Sequence, residues 1–214
     1  MNLGFDGGDS QLRNLNINDD TVSVIYRTPS SNDFLYKYKL MNANEYEYNI
    51  ISFLDMKYEI QKEINLFDGN ISANYMSVDN ISIKALENKI IEIGWEGEDT
   101  DSKPVNNPPA IILPLVDKAK EFADMKDYFS LLQVCQEYSN EHEKPVLLTV
   151  IDSFPYQNYC ESYFDVILDF EYERQSVDKV FYLNIAKNRT GTTNDKVLTV
   201  EITDDISYDS SRNI

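Results

Sequence analysis

Histidine occurs once in this sequence, as His142, and cysteine only twice, as Cys135 and Cys160. With one imidazole and no C-x-x-C pair, zinc coordination and Ser-His-Asp or Cys-His catalysis have almost no raw material. The two cysteines stand in unrelated settings and read as reduced core thiols of a cytoplasmic protein. Positive charge is scarce as well: 19 Lys and Arg against 37 Asp and Glu give a net charge of −18. Such a surface repels the phosphate backbone, whose neutralisation supplies most non-specific nucleic-acid affinity. Nucleic-acid binding by the chain alone is therefore disfavoured, as is docking to an anionic membrane, unless a local basic patch or a ring-shaped partner overrides the global field. Long apolar runs are missing, which excludes a transmembrane helix, and the polar opening MNLGFDGGDSQLRN is unlike a signal peptide. Without a secretory route, the sequon Asn188-Arg189-Thr190 reads as a chance match.

What is present suits a globular protein. The 214 residues are 42% hydrophobic, with 15 Tyr and 10 Phe, enough to fill a core, and their rhythm fits one domain over residues 1–214. Strands are predicted at Thr21–Tyr26, Tyr48–Leu54, Tyr75–Val78, Ala110–Val116 and Pro145–Ile151. Helices are predicted from about Asn32 to Leu40, over MKYEIQKEINLF, over IKALENKIIEI with Ser82 as its cap, and over the stripe Tyr128, Leu131, Leu132, Cys135 and Tyr138. GWEGEDTDSKPVNNPP is the most loop-like stretch. After residue 151 the period changes. Tyr163–Phe170, Lys179–Ala186 and Lys196–Ile202 read as strands joined by turns, with Thr190–Asp195 a hairpin turn. The fold class expected is α/β, with a mostly parallel central sheet flanked by helices and an antiparallel C-terminal extension.

Five segments fall in a telling order. Val22-Ser23-Val24-Ile25-Tyr26-Arg27-Thr28-Pro29-Ser30-Ser31-Asn32-Asp33-Phe34 is similar to V-V-I-x-A-R-P-S-x-G-K-T. Ser52-Phe53-Leu54-Asp55-Met56 is similar to S-L-E-M, and Met76–Ile83 to I-D-D-T-P-x-I-x-V. Pro145-Val146-Leu147-Leu148 stands where P-V-I-A would, and Ile185-Ala186-Lys187-Asn188-Arg189-Thr190-Gly191 is similar to I-A-K-Q-R-N-G. In this order the segments resemble the C-terminal RecA-like ATPase domain of DnaB-type replicative helicases, over nearly the whole chain. The last is the most specific.

The departures from that pattern carry the functional expectation. A working phosphate loop needs glycine to wrap the phosphates, lysine to neutralise them and Ser or Thr to hold Mg²⁺. Ser30 keeps its place in the loop, but Asn32 replaces the glycine, Asp33 the lysine and Phe34 the metal-holding hydroxyl. A carboxylate in place of the cation repels a triphosphate, and Phe34 cannot ligate a metal. Pro114 stands where the resemblance calls for the metal-binding aspartate, and Ile151 where it calls for a polar sensor. Asp55 alone stays acidic, at the position of the catalytic glutamate and one methylene shorter.

The resemblance thus implies a degenerate RecA-like domain with no cofactor and no catalysis. It would act by contact with a protein in replication or recombination, such as a replicative helicase or another RecA-fold ring, as a regulator or inhibitor. Oligomers are compatible with it, and a phage or mobile-element origin would suit so stripped a form. Two other readings stand beside it: a divergent ATPase or helicase with a rebuilt nucleotide site, and a single-strand DNA-binding module. Lys187 and Arg189 match the family's trans-acting basic pair. Two apart at a strand end, they project to one face; the alternative is that they offset acids such as Asp178 and Asp195. The acids of GEDTDS fit no calcium-loop spacing and read as a solvated loop. His142 reads as an exposed residue favoured by a helix C-terminus. Trp95, Tyr75 and Tyr163 could stack on bases, although core or half-buried positions are commoner for them.

Overall fold

A computed structural model describes residues 22–27, 47–53, 58, 73–78, 81–97, 103–114, 116, 119, 123–151, 157–175, 178–189, 198–202 and 206–208. The helix expected at Asn32–Leu40 and the turn expected at Thr190–Asp195 lie outside them. Of the helix expected over MKYEIQKEINLF only Tyr58 is described, as helical and exposed.

Six strands come first: β1 (Val22–Arg27), β2 (Tyr48–Phe53), β3 (Ala73–Val78), β4 (Trp95–Glu96), β5 (Lys103–Pro104) and β6 (Ala110–Leu113). Helix α1 (Ile83–Gly94) follows β3, and α2 (Met125–His142) leads from β6 to β7 (Val146–Ile151). Beyond it lie the short α3 (Gln157–Cys160), a 3-10 turn over Glu161–Tyr163, β8 (Val166–Gln175), β9 (Asp178–Asn188), β10 (Leu198–Ile202) and β11 (Ile206–Tyr208).

The main sheet has nine strands in the order β11-β10-β9-β8-β1-β7-β6-β2-β3. From β8 to β3 every neighbouring pair is parallel, and β8–β9, β9–β10 and β10–β11 are antiparallel. The protein is therefore α/β, a mostly parallel mixed sheet with helices. Both faces of the central strands are buried, the arrangement that parallel strands require. Val22, Val24, Ile51, Phe53, Ile111, Leu113, Val146 and Leu148 join α1 and α2 in one core. The alternate residues Ser23, Ile50, Ile112, Leu147 and Leu168, which point the other way, are buried too.

The two long helices start where their sequence provides a cap. The Ser82 hydroxyl accepts from the Ala85 N–H at 3.4 Å and opens α1, as its position predicts. Asp124 opens α2 by accepting from the Lys126 and Asp127 N–H groups at 2.7 and 3.2 Å, and the Asp127 carboxylate accepts in return from the Asp124 N–H at 2.8 Å. This reciprocal capping box satisfies amides that the helix itself leaves unpaired. Asp124→Ala is expected to cost about 0.5–2 kcal/mol of stability, read as a lower urea midpoint with an unchanged slope. The apolar stripe of α2 is buried as its spacing predicts, from Tyr128 through Leu131, Leu132 and Cys135 to Tyr138.

Three boundaries differ from the sequence expectation. The run Ala110–Val116 is a strand only to Leu113, because Pro114 has no N–H for the ladder and the chain turns there. Tyr163 belongs to the 3-10 turn, so β8 starts at Val166 and continues through charged residues to Gln175. GWEGEDTDSKPVNNPP is not loop throughout: β4 and β5 pair as an antiparallel ribbon, Trp95 with Pro104 and Glu96 with Lys103.

Candidate functional site

In an open parallel sheet, ligands bind outside the carboxyl ends of the strands, between neighbouring strands whose onward connections run to opposite sides. Here those neighbours are β1 and β7. The chain leaves β1 for β2, three places to one side, and leaves β7 for β8, on the other side of β1. The register sets Arg27, at the end of β1, level with Ile151 of β7 and Phe170 of β8. On β6, Leu113 is level with Leu148, and Pro114 follows it. Asp55 comes two residues after the end of β2, and Ser30, Asn32, Asp33 and Phe34 come three to seven residues after the end of β1. Those five residues lie outside the described set. Of the positions singled out from the sequence, the structure places Pro114 and Ile151 at this carboxyl edge.

Apart from Arg27 and Ser52, the described part of that edge is mostly apolar. Phe53, Leu113, Pro114, Val116 and Val150 are all buried, and Pro114 and Ile151 offer neither charge nor a side-chain hydrogen bond to a metal or a phosphate. The Ser52 hydroxyl is buried next to the end of β2 without a hydrogen-bond partner. Val116, Tyr128, Leu131, Leu148, Val150 and Cys160 border a cavity of ≈ 10 Å³, about the room for one water and far short of a nucleotide. Burial raises the Cys160 thiol to about 11, and it raises the Cys135 thiol further, with the Glu87 charge adding to it. Both stay protonated and unreactive near neutral pH. Among the described residues no group of three or more His, Cys, Asp and Glu could hold a metal ion.

Lys187 and Arg189 lie at the other edge, because antiparallel β9 ends where β1 and β8 begin. A bulge there sets Lys187 opposite Ile167 but Ile185 opposite Leu168, leaving Ala186 as the extra residue. The two side chains turn to the same neighbouring segment. Lys187 Nζ donates to the Glu161 carbonyl at 2.6 Å, and Arg189 Nη2 donates to the Ser162 carbonyl at 3.1 Å. Arg189 Nη1 stands 3.6 Å from Asp165 Oδ1, with 52% of the arginine side chain exposed. Burial lowers the pKa of Lys187, and so does the charge of Arg189, against the opposing pull of Asp165 and Glu161. The acid beside the pair is thus Asp165, which sequence reasoning passed over. Its carboxylate also accepts from the Val22 N–H at 3.0 Å, and its backbone bonds Val22 and Arg189, tying β1, β8 and β9 together at their common edge. The only sequence signal for this was an acid standing immediately before an apolar run.

The remaining candidates are dispersed. Trp95 is half-buried against Tyr138 and His142, and Tyr163 stacks on Phe129 at 5.4 Å, so these aromatics form no shared platform for bases. His142 is not the exposed residue expected; it is half-buried against the same tryptophan. Among the described residues no helix is long and apolar enough to cross a membrane. Compared with protein families and with curated proteins, the sequence matches none.

Proposed function

We propose that this chain is a non-catalytic, RecA-like relative of the DnaB-type helicase ATPase domain that works by contact with another protein. The observation that carries the reading is that Pro114 and Ile151 lie at the carboxyl edge beside β1, while Asn32, Asp33, Phe34 and Asp55 follow in sequence the strands β1 and β2 that end there. Losses scattered over a sheet would be unrelated accidents, whereas losses gathered at the ligand edge remove one function. The mostly parallel sheet with its antiparallel continuation from β9 to β11 supports the reading, since the resemblance implies that layout. Lys187 and Arg189 are at the opposite edge of the sheet, so a nucleotide they served would belong to a neighbouring molecule. The partner that suits them is a helicase ring or another RecA-fold ring.

Two measurements test this. Calorimetry with millimolar ATP and Mg²⁺ is expected to show no saturable heat, and Asp33→Lys alone is expected to restore no turnover, because the metal-holding groups would still be missing. A saturable signal reproduced with a non-hydrolysable analogue would overturn the reading in favour of a rebuilt ATPase. Mixed with its host's replicative helicase, the protein is expected to associate and to change the ATPase rate. A trans-acting arginine is worth roughly 10³–10⁵ in turnover, so stimulation lost in Arg189→Ala would identify donation, and equal inhibition by both forms a cap acting by shape. With the arginine already bonded to Ser162 and beside Asp165, we favour shape. No association at micromolar concentration would sink both versions.

A further inference from the structure

The only histidine and the only tryptophan in the sequence meet at one place. His142, in the last turn of α2, stands with its ring centroid 5.0 Å from that of Trp95 and 4.8 Å from that of Tyr138. Its Nε2 is buried without a hydrogen-bond partner. The fit against Gly94 is so close that a Cβ there would come within 2.9 Å of Nε2 and 2.8 Å of the Tyr138 ring. Both ends of the β4–β5 ribbon are held by the same two turns of α2. Gly94 and Trp95 rest on His142 and Tyr138 at one end, and the Tyr138 hydroxyl donates to the Pro109 carbonyl at 2.6 Å at the other. The Val105 N–H closes the base by donating to the Gly94 carbonyl at 2.8 Å.

From this geometry we infer that His142 is a proton-operated latch on the β4–β5 ribbon: neutral, it packs the ribbon onto α2, and protonated, it lets the ribbon go. An imidazolium carries two N–H donors and a charge, and Nε2 is buried against Gly94, out of reach of water. The residues of the ribbon side in contact with the ring, Gly94 and Trp95, carry no charge, and the flanking Glu96 and Lys103 are exposed. On its own helix, Tyr138 keeps its phenolic proton, because burial raises its pKa. Glu141 favours the cation, as does the Gly94 backbone, but desolvation outweighs them and lowers the pKa of His142. The sign follows. The released ribbon takes up a proton at the ordinary value of about 6.5 and the closed one only at lower pH, so closure weakens as pH falls through that window.

Hydrogen exchange with an NMR titration of the imidazole tests the latch, independently of any role in a helicase ring. Between about pH 8 and about pH 5, the protection factor of the Val105 amide is expected to fall several-fold, while that of the Asp165 amide, bonded to the Val22 carbonyl, holds. Trp95 emission should shift to the red over the same range. His142→Phe, or His142→Gln if the first misfolds, should abolish the pH dependence. A His142 midpoint at or above the ordinary value overturns the proposal, since the aromatic rings would then be holding the cation. So does equal loss at both amides, or an unchanged pH dependence in the variants.

Discussion

Tyr138→Ala is expected to lower the unfolding free energy by about 3–5 kcal/mol, the range for truncating a buried aromatic side chain. The ring is 0% exposed, wedged between α1 and the sheet, and it meets Trp95 edge-on at 6.0 Å. Its removal leaves a void beside Gly94, which has no side chain to fill it. Tyr138→Phe separates packing from hydrogen bonding: it keeps the ring and deprives the Pro109 carbonyl of its donor, at about 0.5–1.5 kcal/mol. Urea unfolding with a constant slope checks both values. The wild type should also lose stability in alkali. Burial raises the phenol's pKa in the folded protein, so above its ordinary value of about 10 the unfolded chain binds fewer protons, and stability falls with rising pH. Tyr138→Phe should flatten that limb. A cost below about 1 kcal/mol for Tyr138→Ala would contradict the close packing described for this junction.

Asp165→Ala is expected to cost about 1–3 kcal/mol, the penalty for leaving a buried donor without its partner. That donor is the N–H of Val22, a residue 1% exposed, and the Asp165 carboxylate is its acceptor. Arg189→Ala removes the other partner of the same carboxylate, yet should change stability by less than about 1 kcal/mol, because an exposed pair at 3.6 Å is screened by water. Asp165→Asn, which keeps an acceptor oxygen, should fall between the two. Thermal or urea melts of the three variants settle the order. The asymmetry has a practical use: Arg189→Ala will fold well enough for any effect on a partner's ATPase to be read without correction for unfolding. If Arg189→Ala proves as damaging as Asp165→Ala, the arginine serves the fold, and its part in any trans contact falls away.

The sequence disclosed the centre of the sheet better than its margins, for a physical reason. β2, the start of β6 and β7 are buried on both faces, so their residues form unbroken apolar runs that contrast with their surroundings. The burial of α2 was legible in its stripe, and the start of α1 in Ser82. The ribbon was not, because two-residue strands are too short for a period to show, and Gly97, Pro104 and the acids between them carry the composition of a loop. Pro114 was read inside a strand because hydrophobicity alone does not register a missing N–H. At the candidate site, the departures were visible as residues, but that Pro114 and Ile151 share one edge with the end of β1 depends on strand order, which no local pattern encodes. The partners of Lys187 and Arg189 were illegible for a similar reason: two are backbone carbonyls, of Glu161 and Ser162, and any residue type offers a carbonyl.

The position of β1 also bears on how the chain is made. Its two neighbours are β7 and β8, so a strand that ends at Arg27 pairs with residues 146–151 and 166–170 and with nothing between. On a ribosome, β1 has no place to go until residues 146–151 have followed it. The meander from β8 to β11 is the opposite case, since each strand there pairs with the one just synthesised. Contacts distant in sequence are slow to form, because the chain must close the loop before it gains from the pairing. The apolar Val22, Val24 and Ile25 therefore lack their native neighbours until β7 and β8 have been made, the stage at which a chaperone would find them. A nascent chain halted before residue 146 would hold β2, β3 and β6 without the strand that joins them to the rest.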